Sequence, residues 1–231
     1  YFGLRQLPSA QNILSPKNIH SAEVGLRYTD TTKSQGGDGH EKGLAGRIAV
    51  GADQADGELY PKLYGGFDIG TALPWSNSSA WLYGHAGMVG GRRQSPLAAY
   101  YFGSFRNNYV DDRSEKRYRE MESFPGFEID EIAARRFGKL TGEVNLPPIR
   151  FAEVGTAAFY LSHLRPALFA GAMATQSPDG DGHLYYNVGG QLDLNFTVAM
   201  RLPMVLSVGA AAGWEDGDYR KTELLASLKI M

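Results

Sequence analysis

The sequence contains no cysteine, which excludes disulfide frameworks and cysteine-ligated zinc. It also has no apolar run near the roughly 18 residues that a membrane-spanning helix needs. The formal net charge of −2 offers no basic excess for nucleic-acid binding, so no nucleic-acid partner is expected. None of the five histidines has the spacing of a metal site, and neither a metal nor a cofactor is predicted.

The most informative feature that is present is a long alternation over residues 188–202. Every second residue from Val188 to Leu202 is apolar or glycine, and the residues between them are mostly polar. A period of two over this length predicts a strand with one apolar and one polar face. A transmembrane β-barrel is built from long strands of this kind, with the apolar side toward lipid and the polar side toward a wet lumen.

The same pattern recurs along the chain and predicts about ten antiparallel strands in a single domain, residues 1–231. An even number of strands is typical of bacterial outer-membrane barrels. Two of the segments, 80–89 and 97–106, carry apolar groups on both faces, so their orientation stays open. The predicted strands are residues 22–29, 46–51, 63–73, 80–89, 97–106, 139–146, 154–175, 188–202, 204–213 and 222–231.

The spacing of the loops gives the strands a direction. Outer-membrane barrels keep short turns on the periplasmic side and long loops outside. If residues 154–175 cross once, the alternation of sides places the polar loops 31–42, 107–127, 177–182 and 215–221 together, with the turns 147–148 and 202–203 opposite them. Residues 107–127 form the longest of these loops and are expected to fold into the lumen as a gate.

Two fold classes fit the alternation. In a soluble β-sandwich or lipocalin-like binding module, the apolar faces would form the core and the charges would face water. In an outer-membrane barrel the charges would line the lumen, where both signs can pair. The barrel interpretation assigns lumen-facing positions to Arg27, Arg47, Asp68, Glu143, Asp193 and Arg201.

The longest loop ends in Phe124-Pro125-Gly126-Phe127, followed by a strand with Glu143 before Pro147 and later by Phe169-Ala170-Gly171. This order over residues 107–231 resembles the barrel of the bacterial surface-antigen family, which includes outer-membrane insertases and two-partner-secretion transporters. Residues 143–148 and 159–162 resemble the ends of barrels that follow an N-terminal Tol-type β-propeller. The resemblance implies a sixteen-strand-type barrel truncated at its N-terminus, located in the bacterial outer membrane.

Two departures from that family concern one charge pair. The family has arginine where this chain has Pro125, and it has aspartate where the best alignment offers Gly171 or Ala172. Because a buried charge without its partner is costly, losing both together is physically coherent. Phe124 and Phe127 are expected to anchor the loop inside the barrel instead.

The sequence and the resemblance together predict a non-enzymatic outer-membrane barrel that contacts lipid and anchors or translocates a polypeptide substrate or a covalently linked N-terminal domain. No catalytic residue is predicted. The weaker alternative is an outer-membrane hydrolase using His85 or His163. Ser162 precedes His163, but neighbouring residues of a regular strand point to opposite faces, which argues against a working pair.

Overall fold

The computed structural model describes residues 19–33, 39–55, 57–105, 116–152, 154–156 and 158–230. In chain order the strands are β1 Ile19–Thr32, β2 Lys42–Ala55, β3 Glu58–Ala72, β4 Ser79–Val89, β5 Tyr100–Phe102, β6 Ile132–Ala134, β7 Arg136–Asn145, β8 Ile149–Arg150, β9 Gly155–Thr156, β10 Phe159–Gln176, β11 Gly182–Val198, β12 Leu202–Glu215 and β13 Asp218–Ile230. No helix within the described ranges is long and apolar enough to cross a bilayer.

The nine long strands form one antiparallel sheet in the order β1-β2-β3-β4-β7-β10-β11-β12-β13. Each long strand pairs with the next long strand along the chain, β8 and β9 add short pairings to β10, and β5 and β6 pair separately. Within the described residues the outer edges of β1 and β13 have no pairing partner. The all-β antiparallel prediction is therefore confirmed, whereas closure of the sheet into a barrel is not observed.

Alternating side chains give the sheet two different faces, as β11 illustrates. Tyr185, Asn187, Gln191 and Asp193 are buried on what we call the inner face. The residues between them point to the opposite, outer face. There, Leu184, Tyr186, Val188 and Leu192 are all exposed.

The outer face is apolar and uncovered along the whole sheet. Val24 of β1 is 79% exposed and Leu224 of β13 is 78% exposed. A soluble sheet would cover such a face with a second layer, because exposed apolar area on this scale is unfavourable in water. Further exposed residues of this face are Leu26, Ile48, Val50, Leu63, Phe67, Ile69, Leu82, Met88, Leu140, Leu168, Leu206, Val208, Leu228 and Ile230.

The connections lie at two edges of the sheet. The upper edge carries the β2–β3, β4–β7, β10–β11 and β12–β13 connections, and the lower edge carries the β1–β2, β3–β4, β7–β10 and β11–β12 connections. The prediction that loops 31–42 and 107–127 share a side is therefore wrong. Residues 97–106 were counted as a sheet strand, but only Tyr100–Phe102 is extended there and it pairs with β6 away from the main sheet. One crossing fewer inverts the side of every earlier loop.

The end of β11 corrects a second prediction. Ala199 and Met200 adopt positive φ values of 50° and 61°, and Arg201 N donates to Val198 O, which closes a tight turn. The strand therefore stops at Val198 rather than continuing to residue 202. Arg201 lies in this turn and is exposed, so it does not line the inner face as predicted.

Candidate functional site

The connection between β4 and β7 folds back over the inner face of the sheet. We call its described part, residues 98–105 and 116–134, the inward segment. Residues 107–115 of the predicted gating loop lie outside the described residues. The inward segment covers the inner face, which carries the buried charged and polar side chains of the sheet together with aromatic ones such as Phe137, Phe169 and Tyr185.

The predicted motif Phe124-Pro125-Gly126-Phe127 lies at the centre of this packing. Phe124 is fully buried, and Phe127 is 1% exposed. The Phe127 ring centroid lies 5.5 Å from those of Phe124 and of Tyr185 on β11. Ring pairs at this distance add about 0.5–1.5 kcal/mol each beyond area burial. The two phenylalanines thus attach the tip of the segment to the inner wall.

Backbone hydrogen bonds fix the same tip to β13. The Glu223 carboxylate accepts from Gly126 N at 3.0 Å, from Phe105 N at 3.2 Å and from Ser104 Oγ at 2.5 Å. On β11, Asn187 Nδ2 donates to Pro125 O at 2.9 Å. Hydrogen bonds to a charged acceptor are stronger than neutral ones, at about 1.5–3 kcal/mol each. Glu223 therefore joins the last strand, β13, to the inward segment.

Glycine is required at the tip because of its backbone and its surroundings. Gly126 has φ +97°, and a Cβ there would meet Gly213 N of β12 at 2.6 Å. Positive φ is strained for residues with a side chain, and the backbone of a strand cannot move aside easily. The tip consequently lies directly against the sheet backbone.

A second set of contacts holds residues 116–123. Lys139 of β7, which is 2% exposed, donates from Nζ to Glu120 O at 2.7 Å, to Met121 O at 3.1 Å and to Ser123 O. An ammonium group has three donors, and all three are used here. This lysine satisfies backbone carbonyls that the folded-back segment would otherwise leave buried without partners.

A bidentate ion pair joins the inward segment to β7. Arg119 Nε donates to Glu143 Oε2 at 2.7 Å, and Arg119 Nη2 donates to Oε1 at 2.5 Å, with the carboxylate 2% exposed. The Arg119 guanidinium also lies 5.5 Å from the Tyr83 ring centroid. Burial alone would lower the pKa of Arg119, but the Glu143 carboxylate outweighs it and holds that pKa above its usual value.

The charge pair of the surface-antigen family would fall at Pro125 and at Gly171 or Ala172, whereas this ion pair joins Arg119 to Glu143. Arg119 lies six residues before Pro125, in a charge-rich stretch, residues 115–122, whose sequence fits either a short helix or a solvated turn and predicts no ligand. Alternation identifies Glu143, Lys139 and Glu223 as inner-face residues. No spacing rule shows that Arg119 reaches back across the sheet, so this residue was missed.

Five of the six predicted lumen residues lie on the inner face. Arg27 and Arg47 are cross-strand neighbours, and Arg47 Nη2 is 2.5 Å from Glu23 Oε1. Asp68 lines a cavity at the lower edge. Glu143 pairs with Arg119 as described, and Asp193 Oδ1 accepts from Gln191 and from Ser207, both at 2.6 Å.

Lys116 leads to a prediction about pH. It is 6% exposed, and burial lowers its pKa from 10.5 to about 8. Between pH 8 and 10.5 the unfolded chain therefore binds a proton that the folded protein releases, so this group makes stability rise with pH. We expect Lys116→Met to remove that rise, measured as unfolding midpoints at pH 8 and 10 beside the parent protein. An unchanged pH dependence would contradict the burial of a charged amine here.

His85 and His163, the residues of the hydrolase alternative, each contact a neighbouring hydroxyl group, and the contact of His163 differs from the expectation. Tyr64 Oη lies 3.1 Å from His85 Nδ1 on the inner face. The pairing register of β10 with β11 shifts at a bulge between Leu161 and His163. At this bulge Ser162 Oγ lies 2.8 Å from His163 Nδ1. The expectation that these neighbours cannot meet is therefore wrong, because the bulge removes the strict alternation of faces.

A cluster at the upper edge joins an imidazole to two carboxylates. His183 Nδ1 lies 3.0 Å from Asp216 Oδ2 and 3.6 Å from Glu215 Oε1. Arg220 Nε lies 3.1 Å from Glu215 Oε2 and already supplies a countercharge. The hydrogen bond from the Leu184 N–H is the main cause that lowers the pKa of the Asp216 carboxyl, and the hydrogen bond with His183 lowers this pKa further. The cluster forms an ion-pair network around the β12–β13 turn.

Comparison of the chain with protein-family models, with curated proteins and with solved structures finds no match in any of the three.

Proposed function

We propose that this chain spans the bacterial outer membrane as part of a β-barrel wall, with the inward segment plugging its lumen, and that it anchors or translocates a polypeptide there. The observation that carries the proposal is the arrangement of polarity. The face of the sheet that carries the buried charged and polar side chains is the covered one, and every long strand exposes apolar residues on the other face. Lipid is the partner that fits a continuous apolar exterior of this kind.

Strand length supports the same proposal. A tilted transmembrane strand needs about 9–11 residues. Each of the nine long strands has between 10 and 18 residues. These strands also form an uninterrupted meander, which is the strand order of outer-membrane barrels.

The outer edges of β1 and β13, which have no pairing partner among the described residues, indicate what the barrel still requires. Unpaired backbone groups are very unfavourable in hydrocarbon, so a sheet in lipid has to close. Closure would come from direct pairing of β1 with β13 or from additional strands between them. The sixteen-strand architecture of the surface-antigen family would supply such strands, and this part of the proposal rests on the resemblance alone.

The soluble alternative makes the opposite demand. A β-sandwich or lipocalin-like module would bury the residues of the outer face and expose the charged ones. Leu26, at 76% exposure, and Asp193, at 0%, have the reverse environments. The polarity of the sheet therefore favours the membrane proposal over the soluble one.

Integration into the outer membrane is the direct test of this proposal. We expect the protein, expressed with an outer-membrane targeting signal, to resist alkaline extraction and to migrate differently in SDS gels before and after heating. Purification from the periplasm without detergent, with no heat-dependent migration, would contradict the proposal and favour the soluble module.

A single charge on the outer face should separate the two proposals quantitatively. Val208 lies in the middle of β12 and is 43% exposed on the outer face. We expect Val208→Arg to destabilise the membrane-inserted protein by about 2–4 kcal/mol, as arginine does near a bilayer midplane. The measurement is urea unfolding in lipid vesicles, with Met200→Arg in the β11–β12 turn as control. Equal stability of the two variants would argue against burial of this face in lipid.

A further inference from the structure

A cavity of about 700 Å³ opens at the lower edge, between the inner face and the inward segment. We call it the lower cavity. Both edge strands contribute to its lining, Arg27 and Thr31 from β1 and Lys229 from β13. The sheet is therefore curved enough for its two ends to face one space. A volume of this size is within the range of about 300–1,000 Å³ found for ligand sites.

The lining of the lower cavity is rich in cations from separate elements. Among the residues that the structure describes, five positively charged side chains line it, against two carboxylates, Glu41 and Asp68. The positive charges still outnumber the negative ones when Glu143, the partner of Arg119, and Asp193, the cross-strand neighbour of Arg165, are counted as well. The cations are Arg27, Lys116, Arg119, Arg165 and Lys229.

Arg27 is the group most ready to receive a ligand. Within the described ranges it makes no hydrogen bond or ion pair, and it interacts electrostatically with Asp68, two strands away. Its cross-strand neighbour is a second arginine, Arg47, which is occupied by Glu23. Two arginines side by side repel each other, so an anionic group placed at Arg27 would relieve that repulsion.

Hydrogen-bonding groups of both kinds surround these charges. Asp68 can accept from an amide N–H, and the side chains of Ser79 and Asn145 lie on the same wall. Asn145 Nδ2 donates to Ser79 Oγ at 3.0 Å and to Glu143 Oε1, and Asn145 Oδ1 accepts from Lys116 Nζ, so the polar groups of this wall are held in place. A polypeptide is the occupant that the proposed function supplies, and its carboxylates are the groups that a cationic lining attracts.

We infer that the lower cavity binds an extended, acidic polypeptide segment, with Arg27 and Lys229 contacting its carboxylates and the polar wall contacting its backbone. The inference rests on the proposed function, because it names the substrate class of the same lumen. It adds a charge selectivity that the barrel architecture itself does not specify.

Binding can be measured in detergent, separately from any membrane insertion or transport. The probe is a fluorescent hexaglutamate peptide, followed by anisotropy at low ionic strength, with hexalysine and an uncharged Gly-Ser peptide of equal length for comparison. We expect hexaglutamate to bind at least tenfold more tightly than either, and Arg27→Glu to weaken its binding at least tenfold. Arg93→Glu is the matched control, because this exposed arginine lies beyond the lower cavity, at the opposite edge.

Three outcomes would overturn the inference. Equal affinity for the three peptides would remove the charge selectivity, and equal losses in the Arg27 and Arg93 variants would remove the site. Full displacement of the peptide by millimolar inorganic phosphate would show that the cavity takes a small anion only. A protein that inserts into membranes yet fails these tests loses only the peptide site, whereas one that binds the peptide but does not insert loses the membrane proposal.

Discussion

Arg119→Ala should destabilise the protein by about 3–5 kcal/mol, because it leaves the Glu143 carboxylate buried without its partner. The pair has two short hydrogen bonds, of 2.7 and 2.5 Å, and Glu143 is 2% exposed. Loss of Arg119 should also weaken the attachment of the inward segment to β7, which Lys139 would still hold at residues 120–123. The readouts are the temperature at which heat-dependent gel migration is lost and the rate of protease cleavage within residues 98–134.

A double variant distinguishes the ion pair from simple packing. Replacing both partners together, Arg119→Met with Glu143→Leu, removes the isolated charge and should recover most of the lost stability. Arg117→Ala is the neighbouring control, since Arg117 lies on the same short turn and donates to the neutral Ser227 Oγ at 3.2 Å. Equal effects of the Arg117 and Arg119 variants would contradict the central role of the pair.

Phe124→Ala should cost about 3–5 kcal/mol, the usual range for removing a fully buried phenylalanine. Phe124 has no exposed surface and packs against Phe127 and Tyr185. Because this cluster holds the tip of the inward segment on the sheet, the lumen of the proposed barrel should open as well. In planar bilayers we expect larger and more frequent conductance steps than those of the parent protein.

The control for this prediction is an aromatic residue outside the lumen. Tyr219 is 58% exposed near the start of β13, and Tyr219→Ala should change stability by less than about 1 kcal/mol. Unaltered conductance in Phe124→Ala, with stability reduced as expected, would show that the inward segment is structural packing and not a plug.

The sequence predicts the sheet well because alternation is a direct consequence of strand geometry. In residues 188–198 the alternation of apolar and polar residues predicts which side chains share a face. The inner-face position of Asp193 is predicted in this way. Residues 97–106 mislead for the same reason. Their aromatic side chains pack in the inward segment, as Phe102 does at 0% exposure, and apolar residues on both faces look alike for a buried strand and a buried loop.

The contacts of the inward segment depend on a fold-back that local patterns do not encode. Arg119 and Glu143 are 24 residues apart, and Gly126 and Glu223 are 97 apart. The sequence of a charged stretch such as residues 115–122 fits a short helix and a solvated turn equally well. The bulge at Ser162 is likewise invisible in the sequence, although it changes which side chains meet.

The central claim is that the outer face lies in lipid, and cysteine scanning tests it most directly. The chain contains no cysteine, so single substitutions along β12 can be labelled with a fluorophore without background. In vesicles containing lipids with a quenching group on the acyl chain, we predict quenching at positions 204, 206, 208 and 210 and none at 205, 207, 209 and 211. Quenching at neither set, or at both sets equally, would contradict the account.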